Sequence, residues 1–168
     1  PTSGALIEKE ILQHEELAGI HFTGSTRVFR NLWRKTSENL DYYRSFPRLV
    51  GETGGKDYIF AHETAIVDDL VNAIVRGSFE YQGQKCSACS RVYVPDTLWP
   101  NVLDKLRKEV STIRIGDIKD FTNLMGAVID KKSYDDTMAY ILRAKESSFA
   151  EVIIGGNGDK SKGYFIEP

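Results

Sequence analysis

Two hydrophobic periods alternate along this chain: short apolar or β-branched runs take turns with longer segments whose apolar residues recur at helical spacing. That alternation confines the chain to an α/β fold with a largely parallel sheet, because each helix must carry the chain back to start a neighbouring strand. Residues 18–22, 48–51, 58–61, 91–94, 151–154 and 164–166 read as strands. Residues 5–14 read as the end of a helix, and 26–43, 66–79, 97–112 and 133–144 as further helices. Within 26–43, Val28, Phe29, Leu32, Trp33, Leu40 and Tyr43 mark an apolar face, with Arg30, Arg34, Lys35 and Glu38 on the other side. Pro47 closes that unit and opens the next strand. Thr23-Gly24-Ser25 reads as a strand-to-helix turn, residues 80–85 as a loop, and 155–162 as an exposed hairpin or loop.

The 168 residues are 41% hydrophobic, enough for one well-buried core. A net charge of -2, with lysines and arginines scattered rather than striped, argues against a nucleic-acid partner. No apolar run approaches the ~20 residues of a bilayer crossing, and the N-terminus lacks the basic-then-apolar pattern of a signal peptide. The chain has no initiating Met and stops just after the strand-like Gly163-Tyr164-Phe165-Ile166, so it reads as a piece of something larger. His14, His21, His62, Cys86 and Cys89 show no metal-ligand spacing, and no metal is expected. Two cysteines are a thin disulfide framework, which fits a reducing compartment such as cytosol or mitochondrial matrix.

Chemistry concentrates in three places. Cys86 follows a polar loop containing Gly83, adjoins Lys85, and precedes the small residues Ser87 and Ala88. An accessible sulfur beside a cation suits a thiolate nucleophile, and the Cys86 backbone N–H is a candidate oxyanion donor. Cys89 completes a Cys-x-x-Cys, but its sequel Ser90-Arg91-Val92-Tyr93-Val94 looks extended where a dithiol centre would open a helix, so it reads as core filling. Glu52, at a strand end before Thr53-Gly54-Gly55-Lys56, is a candidate general base that a glycine turn lets point into a cleft. Ser25, with Gly24, stands where a helix N-terminus suits an anion such as a pyrophosphate; an ordinary N-cap explains Ser25 equally well.

In order, Phe22-Thr23-Gly24-Ser25, Glu52-Thr53-Gly54-Gly55-Lys56 and Gly83-Gln84-Lys85-Cys86 resemble the signature of the aldehyde dehydrogenase superfamily. Phe46-Pro47-Arg48-Leu49, Phe79-Glu80-Tyr81 and the run from Gly83 to Arg91 resemble more narrowly its branch that oxidises glutamate semialdehyde to glutamate. The resemblance implies that residues 1–50 end a Rossmann-like cofactor domain and residues 51–168 begin the catalytic domain. It implies NAD as cofactor, with Ser25 on the pyrophosphate and Gly24 allowing close approach, Cys86 as nucleophile, Glu52 as base, and Ser87 bordering the aldehyde pocket. It also implies a small aldehyde substrate, a homo-oligomeric parent, and a cytoplasmic location in bacteria or the mitochondrial matrix in eukaryotes. The family's oxyanion asparagine and its substrate anchor belong to segments outside these residues, so the piece alone is expected to be inactive. Residue chemistry leaves three other readings open: another branch of the family, a cysteine acyl transferase or esterase, and a non-catalytic redox or interaction module.

Overall fold

A computed structural model describes residues 4–168 as two compact units that divide between Gly55 and Lys56. In the first unit, α1 (Gly4–Ile11) leads to β1 (Gly19–Gly24), α2 (Thr26–Glu38) and β2 (Arg48–Thr53). The two strands pair in parallel, with Ile20 opposite Leu49, Phe22 opposite Gly51 and Thr23 opposite Glu52. Leu12, Leu17 and Leu32 form the buried centre, with Ile20, Phe22, Val28 and Tyr43 packed against it. Gly51 makes room for α2: a Cβ there would fall 2.4 Å from the Phe29 ring, which stacks on Phe22 at 5.9 Å.

Strand β1 includes Thr23 and Gly24, so the turn expected at 23–25 shrinks to Ser25 alone, the N-cap of α2. Helix α2 is also shorter than the apolar pattern suggested. Asn39 ends it by donating its side-chain amide to the Lys35 carbonyl at 3.0 Å and to the Leu12 carbonyl at 3.2 Å. A 3-10 turn, Leu40–Tyr42, follows, and Tyr43 donates its hydroxyl to the Leu12 carbonyl at 2.7 Å. Tyr43 thus joins the core, as its apolar pattern required, from outside the helix.

The second unit contains β3 (Asp57–Phe60), α3 (Val67–Phe79), β4 (Cys89–Tyr93), α4 (Trp99–Ser111), α5 (Lys131–Glu146), β5 (Gly158–Asp159) and β6 (Phe165–Ile166). β3 and β4 are parallel, with an irregularity between Asp57 and Tyr58. Ala61, Leu70, Val71, Ile74 and Val102 make the core over this pair, joined by Ile59 and Val92. On the opposite face the exposed rings of Tyr58 and Phe60 each pack against Tyr93, at 5.9 Å and 6.1 Å. A second cluster of Val128, Tyr134 and Ile166 holds α5 to β6. Strands β5 and β6 are antiparallel, so two of the three ladders among the described residues follow the expected parallel pairing.

Residues 151–154, expected as a strand, form none. Val152 and Ile154 are half-buried beside α5 without a ladder partner, and Gly155 and Gly156, at φ +63° and +78°, turn the chain immediately afterwards. Their β-branched character serves packing rather than pairing. Gly156 itself is buried, so the 155–162 stretch is not uniformly exposed.

Candidate active site

Cys86 is a free, exposed thiol on the turn that joins α3 to β4. The approach to it is conformationally unusual. Tyr81 (φ 54°, ψ 37°), Gln82 (φ 56°, ψ 28°) and Gly83 (φ 65°) form one left-handed turn, closed by a bond from the Gln84 N–H to the Tyr81 carbonyl at 3.0 Å. Left-handed helical geometry costs an L-residue roughly 1–2 kcal/mol, so Tyr81 and Gln82 are held there by their surroundings. Arg76 and Lys85 both reach Glu80 at the turn's start, and the Gln84 side chain accepts the Ile129 N–H at 3.0 Å at its end. Gly83 has no alternative: beside its positive φ, a Cβ would lie 2.8 Å from the Ser78 carbonyl oxygen.

Beyond Gln84, the Ala88 N–H donates to the Lys85 carbonyl at 3.2 Å, and Ala88 is buried. Cys86 and Ser87 are therefore presented at the tip of a tight turn whose base is fixed. Among the described residues the Cys86 N–H donates to no carbonyl, which leaves it available to an oxyanion. Lys85 departs from its expected role. Its ammonium is 2.7 Å from Glu80, so it serves the carboxylate before it serves the thiol. That partnership holds the Glu80 carboxyl below its ordinary value, through the Lys85 hydrogen bond first and the Lys85 and Arg76 charges after it. Cys89 opens β4, half-buried, with its Sγ–H directed at the Arg91 carbonyl at 3.2 Å and its Cβ against Gly77 of α3. It is a packing residue at the sheet edge more than a fully buried one.

In the first unit, Ser25 accepts the Val28 N–H at 3.2 Å as the N-cap of α2. Its hydroxyl proton stays free to donate, the Thr26 and Arg27 N–H groups have no acceptor among the described residues, and the first turn has no acidic residue. That donor set fits a pyrophosphate. Gly24 owes its identity partly to its own strand, since a Cβ would fall 2.6 Å from the Phe22 ring. Glu52 is the penultimate residue of β2, paired with Thr23 and exposed. By strand alternation Thr23, Val50 and Glu52 lie on the face away from Phe29 and α2, and no side-chain bond engages the Glu52 carboxylate among the described residues. Glu52 lies in the compact unit that ends at Gly55.

Sequence reasoning found the thiol and missed its bracing. Gly83 was the sole local signal for the left-handed turn, and nothing in the order of residues links Gln84 with Ile129, 45 positions away.

The aldehyde dehydrogenase family model matches residues 1–168. A Dictyostelium discoideum protein named mitochondrial delta-1-pyrroline-5-carboxylate dehydrogenase is 48% identical over 170 residues, covering all of this chain and 30% of that protein. The Homo sapiens protein of the same name is 44% identical over 169 residues with the same shares. The crystal structure of the Mycobacterium tuberculosis delta-pyrroline-5-carboxylate dehydrogenase bound with NAD superimposes with a TM-score of 0.96 at 44% identity, covering 99% of this chain and 31% of that one. The chain thus spans about 30% of the length of the curated relatives it matches.

Proposed function

Since the chain belongs to the aldehyde dehydrogenase family, we infer that it is the nucleophile-bearing part of an NAD-dependent enzyme oxidising L-glutamate 5-semialdehyde, the open form of pyrroline-5-carboxylate, to L-glutamate in proline degradation. The carrying observation is that identity near 45% to enzymes of that name extends over the whole chain, while Cys86 stands exposed on a braced turn. Residues 1–50 are assigned to the end of the cofactor domain and 51–168 to the start of the catalytic domain.

Each residue then has a task suited to its chemistry. Cys86, as thiolate, adds to the aldehyde carbon, and its own N–H helps hold the oxyanion that forms. NAD, when bound, supplies the hydride acceptor. Ser25 and the Thr26 and Arg27 N–H groups would hold its pyrophosphate, with Gly24 keeping the approach open. Glu52 takes a proton from the water that releases the Cys86 thioester as a carboxylate. Ser87, exposed beside the sulfur, borders the aldehyde. The partner is a small aldehyde, and assembly as a homo-oligomer rests on the family resemblance alone. The names of the Dictyostelium and human relatives support mitochondria for a eukaryotic source, and the family resemblance assigns the matrix there and the cytoplasm in bacteria.

The test is NADH formation by the full-length protein from glutamate semialdehyde and from simple aliphatic aldehydes. Cys86→Ala should lose several orders of magnitude and Cys89→Ala little. Equal losses would remove the nucleophile assignment, and indifference to the aldehyde would move the protein to another branch of the family.

A further inference from the structure

The turn bearing Cys86 is tied at its two ends in different ways. Downstream it runs into β4, whose ladder with β3 fixes the backbone from Cys89 onward. Upstream it leaves a left-handed turn that pairs with no strand among the described residues, and the one long-range hydrogen bond described there is Gln84 Oε1 accepting the Ile129 N–H at 3.0 Å. What Gln84 holds is a ledge with anchors of its own. Met125 and Val128 are buried, the Gly116 N–H donates to the Met125 carbonyl at 3.1 Å, and the Val128 N–H donates to the Tyr164 carbonyl at 2.8 Å. One residue past Ile129, the Asp130 carboxylate caps α5 by accepting the Ser133 N–H at 2.7 Å.

Gln82, two residues before Gln84, reaches the same ledge. Its side-chain nitrogen lies 2.8 Å from where a Cβ on Gly126 would be, so the absence of a side chain at 126 admits the Gln82 amide. Two glutamines separated by one glycine therefore rest on residues 126–129.

Taking Cys86 as the nucleophile of the preceding reading, we propose that Gln84 is a positioning residue: by bonding the Ile129 N–H it sets where the Cys86 sulfur stands relative to a bound aldehyde. Gln84 touches no reacting atom. Losing the bond loosens the upstream end of the turn, leaving the Glu80 ion pairs to hold its start, and leaves the exposed thiol chemically intact. Attack on a bound substrate demands alignment and slows when a sulfur wanders by about an ångström, whereas reaction with a freely diffusing electrophile does not.

The experiment uses the full-length protein with Cys89→Ala, so that Cys86 is the thiol followed at this site. Two rates are read: the pre-steady-state NADH burst with glutamate semialdehyde, and alkylation by iodoacetamide. Gln84→Met, similar in shape but a poor acceptor, should slow the burst on the order of 10- to 100-fold while alkylation stays within about threefold. Gln84→Glu keeps an oxygen for the Ile129 N–H and should recover most of the burst.

A wild-type burst in Gln84→Met overturns the proposal. So does a Gln84→Glu variant no better than Gln84→Met, and so does alkylation falling in step with the burst. If Gln84→Met does not fold, the unaltered protein decides. The Ile129 amide sits in a residue 82% exposed, yet should resist hydrogen exchange because Gln84 covers it; fast exchange there means that the bond does not hold. Failure of the underlying reading looks different, since it would appear as an NADH burst surviving Cys86→Ala.

Discussion

The Lys85 ammonium and the Glu80 carboxylate face each other at 2.7 Å across the left-handed turn, so the cation adjacent to Cys86 is neutralised from five residues upstream. The folded protein favours the ionised Glu80, whose carboxyl is held below its ordinary 4.5. A depressed folded value contributes stability that is fully present above the unfolded value and fades as pH falls through the folded one. The melting temperatures of the parent and of Glu80→Gln should therefore differ slightly at neutral pH and converge in acid once the pH has fallen through the lowered Glu80 value. A gap of the same size at all pH values would show that Glu80 acts through something other than this ion pair.

The same substitution should alter the thiol. With Glu80→Gln the Lys85 ammonium loses its carboxylate and is released beside Cys86, where a cation favours thiolate. Alkylation of Cys86 by iodoacetamide at neutral pH should accelerate by about two- to fivefold at low salt, with the gain shrinking as salt is added. A slower reaction would mean that the ion pair mainly keeps the turn in place.

Glu52 lies exposed on β2 with a carboxylate unengaged among the described residues. Glu52→Gln keeps the shape and a hydrogen-bond acceptor but cannot take a proton. The full-length variant should give a normal NADH burst followed by a steady state at least about a hundredfold slower, as general-base loss implies. Unchanged turnover would assign the base elsewhere.

Ser25 has two tasks that different substitutions separate. Ser25→Ala removes the cap that receives the Val28 N–H and should cost about 1 kcal/mol of stability together with weaker NAD binding. Ser25→Asp restores a good cap but sets a negative charge against the pyrophosphate. Melting of Ser25→Asp should match the parent while its NAD dissociation constant rises about tenfold or more. Equal NAD affinity in all three proteins, measured by titration, would leave Ser25 as a cap alone.

Gly83→Ala should destabilise the second unit by about 1–3 kcal/mol, because alanine meets both the positive φ and the Ser78 carbonyl. A thermal melt reads the loss. An unchanged melting temperature would mean that the turn relaxes easily and is not rigidly braced.

Much of this protein was written in local order. Hydrophobic period specified α1 to α5, β1 to β4 and β6 to within a few residues, though not β5, because one buried face per element is a property of neighbouring residues and survives without knowledge of the partner. The boundaries that moved did so for tertiary reasons: Asn39 ends α2 by bonding to Leu12, 27 positions earlier in the chain, and Val152 and Ile154 pack beside α5 instead of pairing. Cys86, Glu52, Ser25 and Gly24 could be read from sequence as candidates because they sit in short contiguous motifs whose residue types suit one chemistry.

What surrounds those residues was decided by the fold. Lys85 was assigned to the thiol by adjacency, but in three dimensions an ammonium goes to the nearest carboxylate, and the left-handed turn brings Glu80 within its reach. Gln84 looked like part of a motif and proved to be half of a bond to Ile129, whose geometry depends on the ledge between α4 and α5 anchored by buried Met125 and Val128. A sequence names the group that can react because reactivity belongs to a side chain. Where that group is held depends on bonds between residues far apart in the chain, and those exist only once the core has brought them together.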